Sequence, residues 1–319
     1  MTNSISRRKW LASSGLAAVG TGLAIGGVSS RTEAQTANKS GHSFRYCLNT
    51  STIRGHELDL AAEVELAAKA GYDGIEPWIR EFEQFQQKGG SLKDLAARIR
   101  DSGLTVESAI GFSNWIVDDD AKRKAALEQA KREMEMVRIV GGTRIAAPPA
   151  GATEQTNLNL FAAAQRYAAL LDVGEEMGVV PQLEVWGFSK SLSRLGEAVF
   201  VAMESGHANA CLLPDVYHLY KGGSALSGLK MLSADAIHCL HVNDYPADPP
   251  RETITDAHRV YPGDGVAPLD DLFRTLRDIG YHGALSLELF NRDYWKQDVS
   301  LVLKTGLEKT KAAVAKALA

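Results

Sequence analysis

The sequence predicts a single (β/α)8 barrel, and three observations support that prediction. From residue 44 onward, a short apolar run rich in β-branched residues is followed by a turn and a longer amphipathic segment. This pattern occurs eight times in about 285 residues, which is the usual content of one closed parallel barrel. Several amphipathic segments end in glycine, as the left-handed C-cap of a helix favours, at Gly71, Gly103, Gly141, Gly178 and Gly280.

Eight apolar runs are predicted as strands, at residues 44–51, 74–78, 105–111, 143–147, 179–186, 210–216, 237–243 and 284–290. The segments predicted as helices are 58–70, 91–101, 121–140, 158–177, 191–203 and 269–279, with a last helix that runs to Ala319. Because the two types alternate, the sheet is expected to be parallel and to be covered by helices.

A doubly wound open sheet is the alternative for an alternating pattern. Such a sheet usually carries a glycine-rich fingerprint after its first strand, whereas here that strand leads into Leu48-Asn49-Thr50-Ser51-Thr52. Two near copies, Ala70-Gly71-Tyr72-Asp73-Gly74 and Ile279-Gly280-Tyr281-His282-Gly283, favour the repeated units of a barrel. We therefore predict one barrel domain over residues 44–319, preceded by a short linker at 35–43.

Residues 1–34 have the composition of an export signal. Ser6-Arg7-Arg8-Lys9-Trp10-Leu11 is a twin-arginine run, and an apolar stretch rich in Gly and Ala follows it with no acidic residue before Glu33. This order is typical of a cleaved signal read by the Tat export machinery, and it predicts an exported, periplasmic protein. A membrane anchor is the alternative, but the many glycines lower the apolarity of the stretch, so no stable anchor is expected.

Composition and charge exclude several classes of protein. The 319 residues are 45% hydrophobic and 23% charged, as in an ordinary globular protein, and three cysteines cannot all pair in a disulfide framework. Removal of residues 1–34 takes away four basic residues and one acidic residue, which changes the formal net charge from −4 to −7. An acidic chain disfavours nucleic acid as a partner, because binding to phosphates needs a basic surface.

Four consecutive predicted strands each end in a side chain that could bind a metal: Glu184, Asp215, His241 and Glu288. The carboxyl ends of barrel strands converge on one axial point. Three carboxylates there would repel one another, and a divalent cation would compensate them. Oxygen-rich ligands with one imidazole suit Mn²⁺, Mg²⁺ or Co²⁺ and admit Zn²⁺, so one divalent metal ion is expected, with Mn²⁺ first. A salt bridge or a core histidine would explain each residue alone, but not all four in register.

Several motifs lie at these strand ends. They are Gly74-Ile75-Glu76, Leu183-Glu184-Val185, Asp215-Val216-Tyr217-His218, His241-Val242-Asn243-Asp244, Arg259-Val260-Tyr261-Pro262-Gly263-Asp264-Gly265 and Ser286-Leu287-Glu288-Leu289-Phe290. With them, roughly residues 44–315 resemble the xylose-isomerase-like barrel superfamily. That superfamily comprises sugar isomerases and epimerases, and it also contains inosose dehydratases and the AP endonuclease family 2 enzymes.

The resemblance implies one set of metal ligands, namely Glu184, Asp215, His241 and Glu288. It also implies that Glu184 and Glu288 are catalytic and handle protons on opposite faces of the substrate. His218 and Arg259 match positions that contact substrate oxygens, and Glu76 matches a polar position near the sugar.

Trp186 is expected to belong to the wall of the sugar pocket. It follows Glu184 by two residues, and side chains two apart in a strand point to the same face. A packed rim under the loops is the alternative for this tryptophan.

The leading expectation is a metal-dependent sugar isomerase or epimerase that removes a proton next to a carbonyl. Its substrate would be a small unphosphorylated sugar, ketose or polyol derivative, because phosphorylated sugars are mainly cytoplasmic. A lyase or dehydratase acting on an inosose or a 3-keto-glycoside begins with the same proton removal and stays open. A non-catalytic sugar-binding barrel and an AP endonuclease fit less well. A homo-oligomer also stays open, with no sequence feature that favours it.

Overall fold

The structure is a computed structural model, and it describes residues 44–319. The strands are β1 Arg45–Asn49, β2 Gly74–Glu76, β3 Thr105–Val106, β4 Arg144–Ala147, β5 Val180–Glu184, β6 Leu212–Leu213, β7 Cys239–Val242 and β8 Ala284–Leu287. The α-helices are α1 Leu60–Ala70, α2 Ile79–Gln87, α3 Leu92–Asp101, α4 Asp120–Ile139, α5 Leu160–Met177, α6 Leu195–Glu204, α7 Val216–Lys221, α8 Leu269–Asp278 and α9 Val299–Leu318. Short 3₁₀ helices occupy the loops Thr50–His56, Leu226–Met231, Ala234–Ala236, Asp256–His258 and Tyr294–Lys296.

The eight parallel strands close into a barrel through two narrow seams. Hydrogen bonds join the strands into the sheets β3-β2-β1-β8-β7 and β4-β5-β6. At the seam between β3 and β4, the Ala109 N–H donates to Arg144 O at 3.1 Å, and the Ala146 N–H donates to Ala109 O at 2.8 Å. At the other seam, Asp215 pairs with His241 in a parallel bridge. The predicted (β/α)8 barrel is confirmed.

Local sequence explains where several helices begin and end. Asp59 caps the N-terminus of α1 by accepting from the Ala61 N–H, and Asn159 does the same for α5 by accepting from the Ala162 N–H. Gly71 and Gly178 end these helices with φ of 91° and 70°, a left-handed conformation that favours glycine. The predicted glycine caps are confirmed at both positions.

The predicted strands are too long where a polar loop follows. The sixth prediction covered 210–216, but β6 ends at Leu213 and Val216 begins α7. Helix α7 starts there because Asp215 accepts from the His218 N–H at 2.7 Å and so caps the helix. Neither α7 nor α2 was among the predicted helices.

A second, smaller cluster of buried side chains is formed mainly by strand residues that face the barrel interior. This inner cluster contains Cys47, Trp78, Ile110, Ala146, Leu213, Cys239 and Ala284. The larger apolar core lies between the strands and the surrounding helices. All three cysteines are buried and free within the described residues, as structural thiols are.

The predicted export signal at 1–34 and the linker at 35–43 lie outside the described residues. Between residues 44 and 319, no helix combines the length and the apolar character needed to cross a bilayer.

Candidate metal centre

The carboxyl ends of β5 to β8 bring the four predicted ligand residues around one imidazole ring. The Nδ1 atom of His241 lies 3.2 Å from Glu288 Oε2, 3.6 Å from Glu184 Oε1 and 3.6 Å from Asp215 Oδ2. None of the four residues is more than 4% exposed. Alternate strand residues face the barrel axis, which is why a side chain at each strand end reaches this point.

Three of these residues already form a group that could hold a metal ion. One ligand atom each from Asp215, His241 and Glu288 lies within 4.8 Å of the other two. Glu184 stands beside the group, and its Oε2 atom is buried without a hydrogen-bond partner. Neither ring nitrogen of His241 makes a well-aligned hydrogen bond. Buried polar atoms without partners are costly, and a cation would satisfy them. The residues therefore fit a divalent ion with carboxylate and imidazole ligands.

The clustered carboxylates shift the pKa values of His241 and Glu184. Burial disfavours the charged form of His241, but Glu288 and Glu76 outweigh that effect and hold its pKa well above the usual value. Burial raises the pKa of Glu184 well above its usual value, and Glu288 and Asp215 raise it further. A cation at this point would relieve both effects, because it favours ionised carboxylates and a neutral imidazole.

The guanidinium of Arg259 is fully buried and contacts several residues of the site at once. Its Nη1 donates to Asp215 Oδ2 at 2.8 Å and to Glu288 Oε2 at 2.7 Å. Its Nη2 donates to Asp256 Oδ1 at 2.5 Å and lies 3.1 Å from His218 Nε2. Burial alone would raise the pKa of Asp215, but Arg259 and its other partners hold that pKa well below the usual range.

Glu76 lies behind His241 rather than beside the cavity. It is fully buried and is absent from the cavity lining, although the resemblance implied a place near the sugar. Its Oε2 atom lies 3.1 Å from His241 Nε2 and accepts hydrogen bonds from Asn49 Nδ2 at 3.0 Å and Ser286 Oγ at 2.6 Å. Asn49 Nδ2 also donates to Glu288 Oε1 at 3.2 Å.

A cavity of about 250 Å³ opens above the metal-capable group. Its polar wall contains Glu184, His218, Asp256, Arg259 and Glu288. Its apolar wall contains Trp78, Ile110, Phe112, Trp186, Phe188 and Phe290. Neighbouring ring centroids in that wall are 5.1 Å apart for Trp78 and Phe112, and 5.7 Å apart for Phe112 and Trp186. The structure thus places Trp186, His218 and Arg259 among the lining residues, with the Arg259 side chain fully buried.

Sequence reasoning missed the polar residues that hold the ligands in place. These are Asn49, Asn243, Asp256 and Ser286. Asn243 donates to Asp215 Oδ2 at 3.2 Å and accepts from the Tyr217 N–H at 2.9 Å. Two of them could have been found from their positions in the sequence. Asn49 and Asn243 stand at or next to the carboxyl end of a strand, where other polar residues had already been assigned to the site.

The fold and the site define a (β/α)8 barrel with a metal-capable centre at the carboxyl ends of its strands. The chain belongs to the xylose isomerase-like TIM barrel family, whose sequence model matches residues 64–313. Inosose isomerase of Bacillus velezensis is 30% identical over 282 residues, which cover 86% of this chain and 98% of that protein. Fructoselysine 3-epimerase of Escherichia coli O157:H7 is 25% identical and covers 81% of this chain and 95% of that protein. Among solved structures, the IOLI protein with a bound zinc atom superimposes with a TM-score of 0.79 at 25% identity, covering 86% of this chain and 99% of that chain.

Proposed function

We propose that the protein is a divalent-metal-dependent sugar isomerase or epimerase that removes a proton next to a substrate carbonyl. The observation that carries this proposal is the unpartnered, buried Oε2 atom of Glu184, a residue that lines the cavity beside the Asp215, His241 and Glu288 group. A carboxylate oxygen without a hydrogen-bond donor is free to accept a proton from a bound ligand. The names of the relatives, inosose isomerase and fructoselysine 3-epimerase, support the same reaction class.

Asp215, His241 and Glu288 would hold the cation, with Glu184 as the fourth ligand. A divalent ion there supplies Lewis-acid stabilisation of the negative charge that proton removal leaves on the substrate oxygens. The zinc atom bound by the IOLI neighbour supports a divalent cation as the bound ion. We propose Mn²⁺ as the resident ion and Zn²⁺ as its nearest alternative.

The side chains of the polar wall have separate tasks in this proposal. Glu184 Oε2 takes the proton from the carbon next to the carbonyl. His218 and Arg259 bind substrate oxygens, since both line the cavity and His218 Nδ1 is buried without a partner. Glu288 takes up a proton from water and delivers it to the opposite face of the carbon, and Glu184 afterwards releases its proton to water. Asn49 and Arg259 each hold one oxygen of Glu288.

The cavity favours a small substrate with one polar and one less polar face. Its volume of about 250 Å³ is at the small end for ligand sites. The only basic side chains in the described lining are His218 and Arg259. Burial lowers the pKa of His218 and favours its neutral form, and Arg259 is already paired with Asp215, Asp256 and Glu288. A phosphate group would therefore lack a free positive partner, which supports an unphosphorylated sugar, inosose or ketose.

We also propose that the protein works after export. The twin-arginine segment of residues 1–34 supports passage through the Tat machinery into the periplasm. Sugars found outside the cytoplasm are mostly unphosphorylated, in agreement with the lining of the cavity.

The test is solvent-deuterium exchange with the full-length protein supplied with Mn²⁺ or Zn²⁺. A panel of ketoses, inososes and 3-keto-glycosides is incubated in D₂O, and NMR reports both the label and the product. The proposal expects metal-dependent deuterium next to the carbonyl of at least one substrate, together with its isomer or epimer. An elimination product would assign the lyase alternative instead. Absence of exchange with every substrate, in protein shown to bind the metal, would overturn the proposal.

A further inference from the structure

Glu76 is a fully buried carboxylate that the proposed reaction does not use. Its Oε2 atom lies 3.1 Å from His241 Nε2. The opposite edge of the same imidazole ring, at Nδ1, faces the carboxylates of Glu184, Asp215 and Glu288. Glu76 and the metal-capable group therefore contact the two nitrogens of one ring from opposite sides.

The neighbouring strands hold this carboxylate in one orientation. Asn49 lies directly opposite Glu76 across β1 and β2, and Ser286 lies directly opposite His241 across β7 and β8. Both donate to Glu76 Oε2, at 3.0 Å and 2.6 Å. The orientation of the Asn49 amide is itself fixed, because its Oδ1 accepts from Trp78 Nε1 at 3.0 Å. Rotation of the Glu76 carboxylate would break two buried hydrogen bonds.

A carboxylate in this place decides which nitrogen of His241 is free to bind a cation. A neutral imidazole has one N–H and one lone pair, and the partner of one nitrogen sets the role of the other. The negative charge of Glu76 favours the N–H at Nε2, which leaves the lone pair at Nδ1 among the three carboxylates. The ring N–H does not point straight at Oε2, so in this structure the two atoms are in close contact without a well-aligned hydrogen bond.

We propose that Glu76 is a positioning residue that fixes the orientation and tautomer of His241 and thereby sets the affinity of the site for a divalent cation. This inference rests on the proposed function only in requiring a cation at the Asp215, His241 and Glu288 group. Partners of this kind behind a metal-binding histidine contribute about 10- to 100-fold to metal affinity in other proteins.

The test measures zinc affinity in the absence of any substrate. Full-length protein is stripped of metal and titrated with Zn²⁺ against a chromophoric chelator. Glu76→Gln keeps the shape and removes the charge, and we expect its Kd for zinc to rise by about 10- to 100-fold. Glu76→Asp restores the charge and should recover part of the affinity. Glu133→Gln is the matched control, because it removes another buried carboxyl, on α4, and should leave the Kd within about twofold of wild type.

A second readout separates positioning from general stability. In the zinc-loaded protein, ¹⁵N NMR should place the His241 proton on Nε2, and Glu76→Gln should shift that signal while Glu133→Gln should not. An unchanged zinc Kd and an unchanged His241 signal in Glu76→Gln would overturn the inference.

If Glu76→Gln does not fold, Ser286→Ala takes its place, since it removes one donor to Glu76 Oε2. About fivefold weaker zinc binding is then expected, the equivalent of one hydrogen bond, and unchanged binding would overturn the inference. Wild-type protein that binds no divalent cation would overturn the proposed function itself. Normal wild-type binding with unaffected variants would overturn only the role of Glu76.

Discussion

Asp215 and His241 pair with each other across the seam that closes the barrel between β6 and β7. The bridge is parallel, and the His241 N–H donates to Pro214 O at 2.9 Å beside it. The side chains of the same two residues, with Asp215 Oδ2 at 3.6 Å from His241 Nδ1, belong to the group that could share a cation. Metal binding at this point would therefore link β6 and β7, which belong to different sheets.

Metal binding is accordingly expected to stabilise the fold. Free metal at 100 times its Kd should raise the free energy of unfolding by about 2.7 kcal/mol, because the cation binds the folded state only. Thermal unfolding of metal-stripped protein with and without Mn²⁺ or Zn²⁺ measures the increment. Asp215→Asn should remove most of it, whereas Asp264→Asn, on the exposed partner of Lys309, should retain it. An unfolding temperature of the wild type that does not respond to either ion would contradict this expectation.

The barrel and its four principal side chains could be predicted because both follow from local periodicity. An apolar run predicts a strand. A carboxylate or histidine at the end of such a run is expected to point toward the axis of the barrel. Helices α2 and α7 were missed because each begins within or directly after a predicted strand. For α7, the β-branched and aromatic residues Val216 and Tyr217 are typical of the end of the sixth predicted strand. The chain becomes helical there because the Asp215 side chain caps the first turn.

The contacts that position the ligands could not be predicted, because they join residues far apart in sequence. Asn49 donates to Glu288, which lies 239 residues away, and Ser286 donates to Glu76 from 210 residues away. These pairings depend on strand register, which the apolar pattern of a parallel strand buried on both faces specifies only weakly. The resemblance therefore identified Glu76 as a polar residue of the site but not which group it contacts.

Glu184 and Glu288 are expected to respond differently to replacement by glutamine. Glu184→Gln leaves an oxygen near the cation but removes the proton acceptor, so deuterium exchange should fall by about 10²- to 10⁴-fold. Glu288→Gln also disturbs Arg259, which donates to its Oε2 at 2.7 Å, and should weaken metal binding more strongly. Exchange rates and zinc titrations of both variants check this division. Wild-type exchange in Glu184→Gln would remove that residue from the proposed reaction.

Glu133 on α4 is expected to make stability depend on pH between about 4.5 and 7. Burial raises the pKa of this carboxyl from 4.5 to about 7, although Gln129 donates to it at 2.6 Å. The folded state thus favours the protonated form, so its contribution to stability is full below pH 4.5 and is lost as the pH rises through 7.

Glu133→Gln should remove this loss. At pH 8 the variant should be more stable than wild type by about 3 kcal/mol, with a small difference near pH 4.5. Urea unfolding at the two pH values measures both differences, and Glu204→Gln, at an exposed carboxylate on α6, serves as the control. A difference between Glu133→Gln and wild type that is the same at both pH values would contradict the explanation.

Asp244 is expected to be the main anchor of the loop that precedes α8. Its Oδ1 accepts from the N–H groups of Tyr245 and Ala267, and its Oδ2 accepts from those of Gly263 and Gly265. Asp244→Ala would leave these four donors without their acceptor and should cost about 3 kcal/mol or more of unfolding free energy. Asp244→Asn keeps one carbonyl oxygen and should cost less. Equal stability of Asp244→Ala and wild type in urea unfolding would show that water replaces the carboxylate.

The paired arginines of the first residues are expected to direct export. Replacing Arg7 and Arg8 by lysine keeps the positive charge but removes the planar guanidinium groups, which lysine cannot imitate in a recognition site. In a bacterial host with an intact Tat system, the wild type should be recovered from the periplasm with a new N-terminus near residue 35, and the double variant should stay in the cytoplasm at full length. Arg31→Lys, near the end of the same segment, controls for the loss of a guanidinium outside the pair. Periplasmic recovery of the double variant would contradict Tat export, and recovery of full-length wild type with the membrane fraction would assign residues 1–34 as an anchor instead.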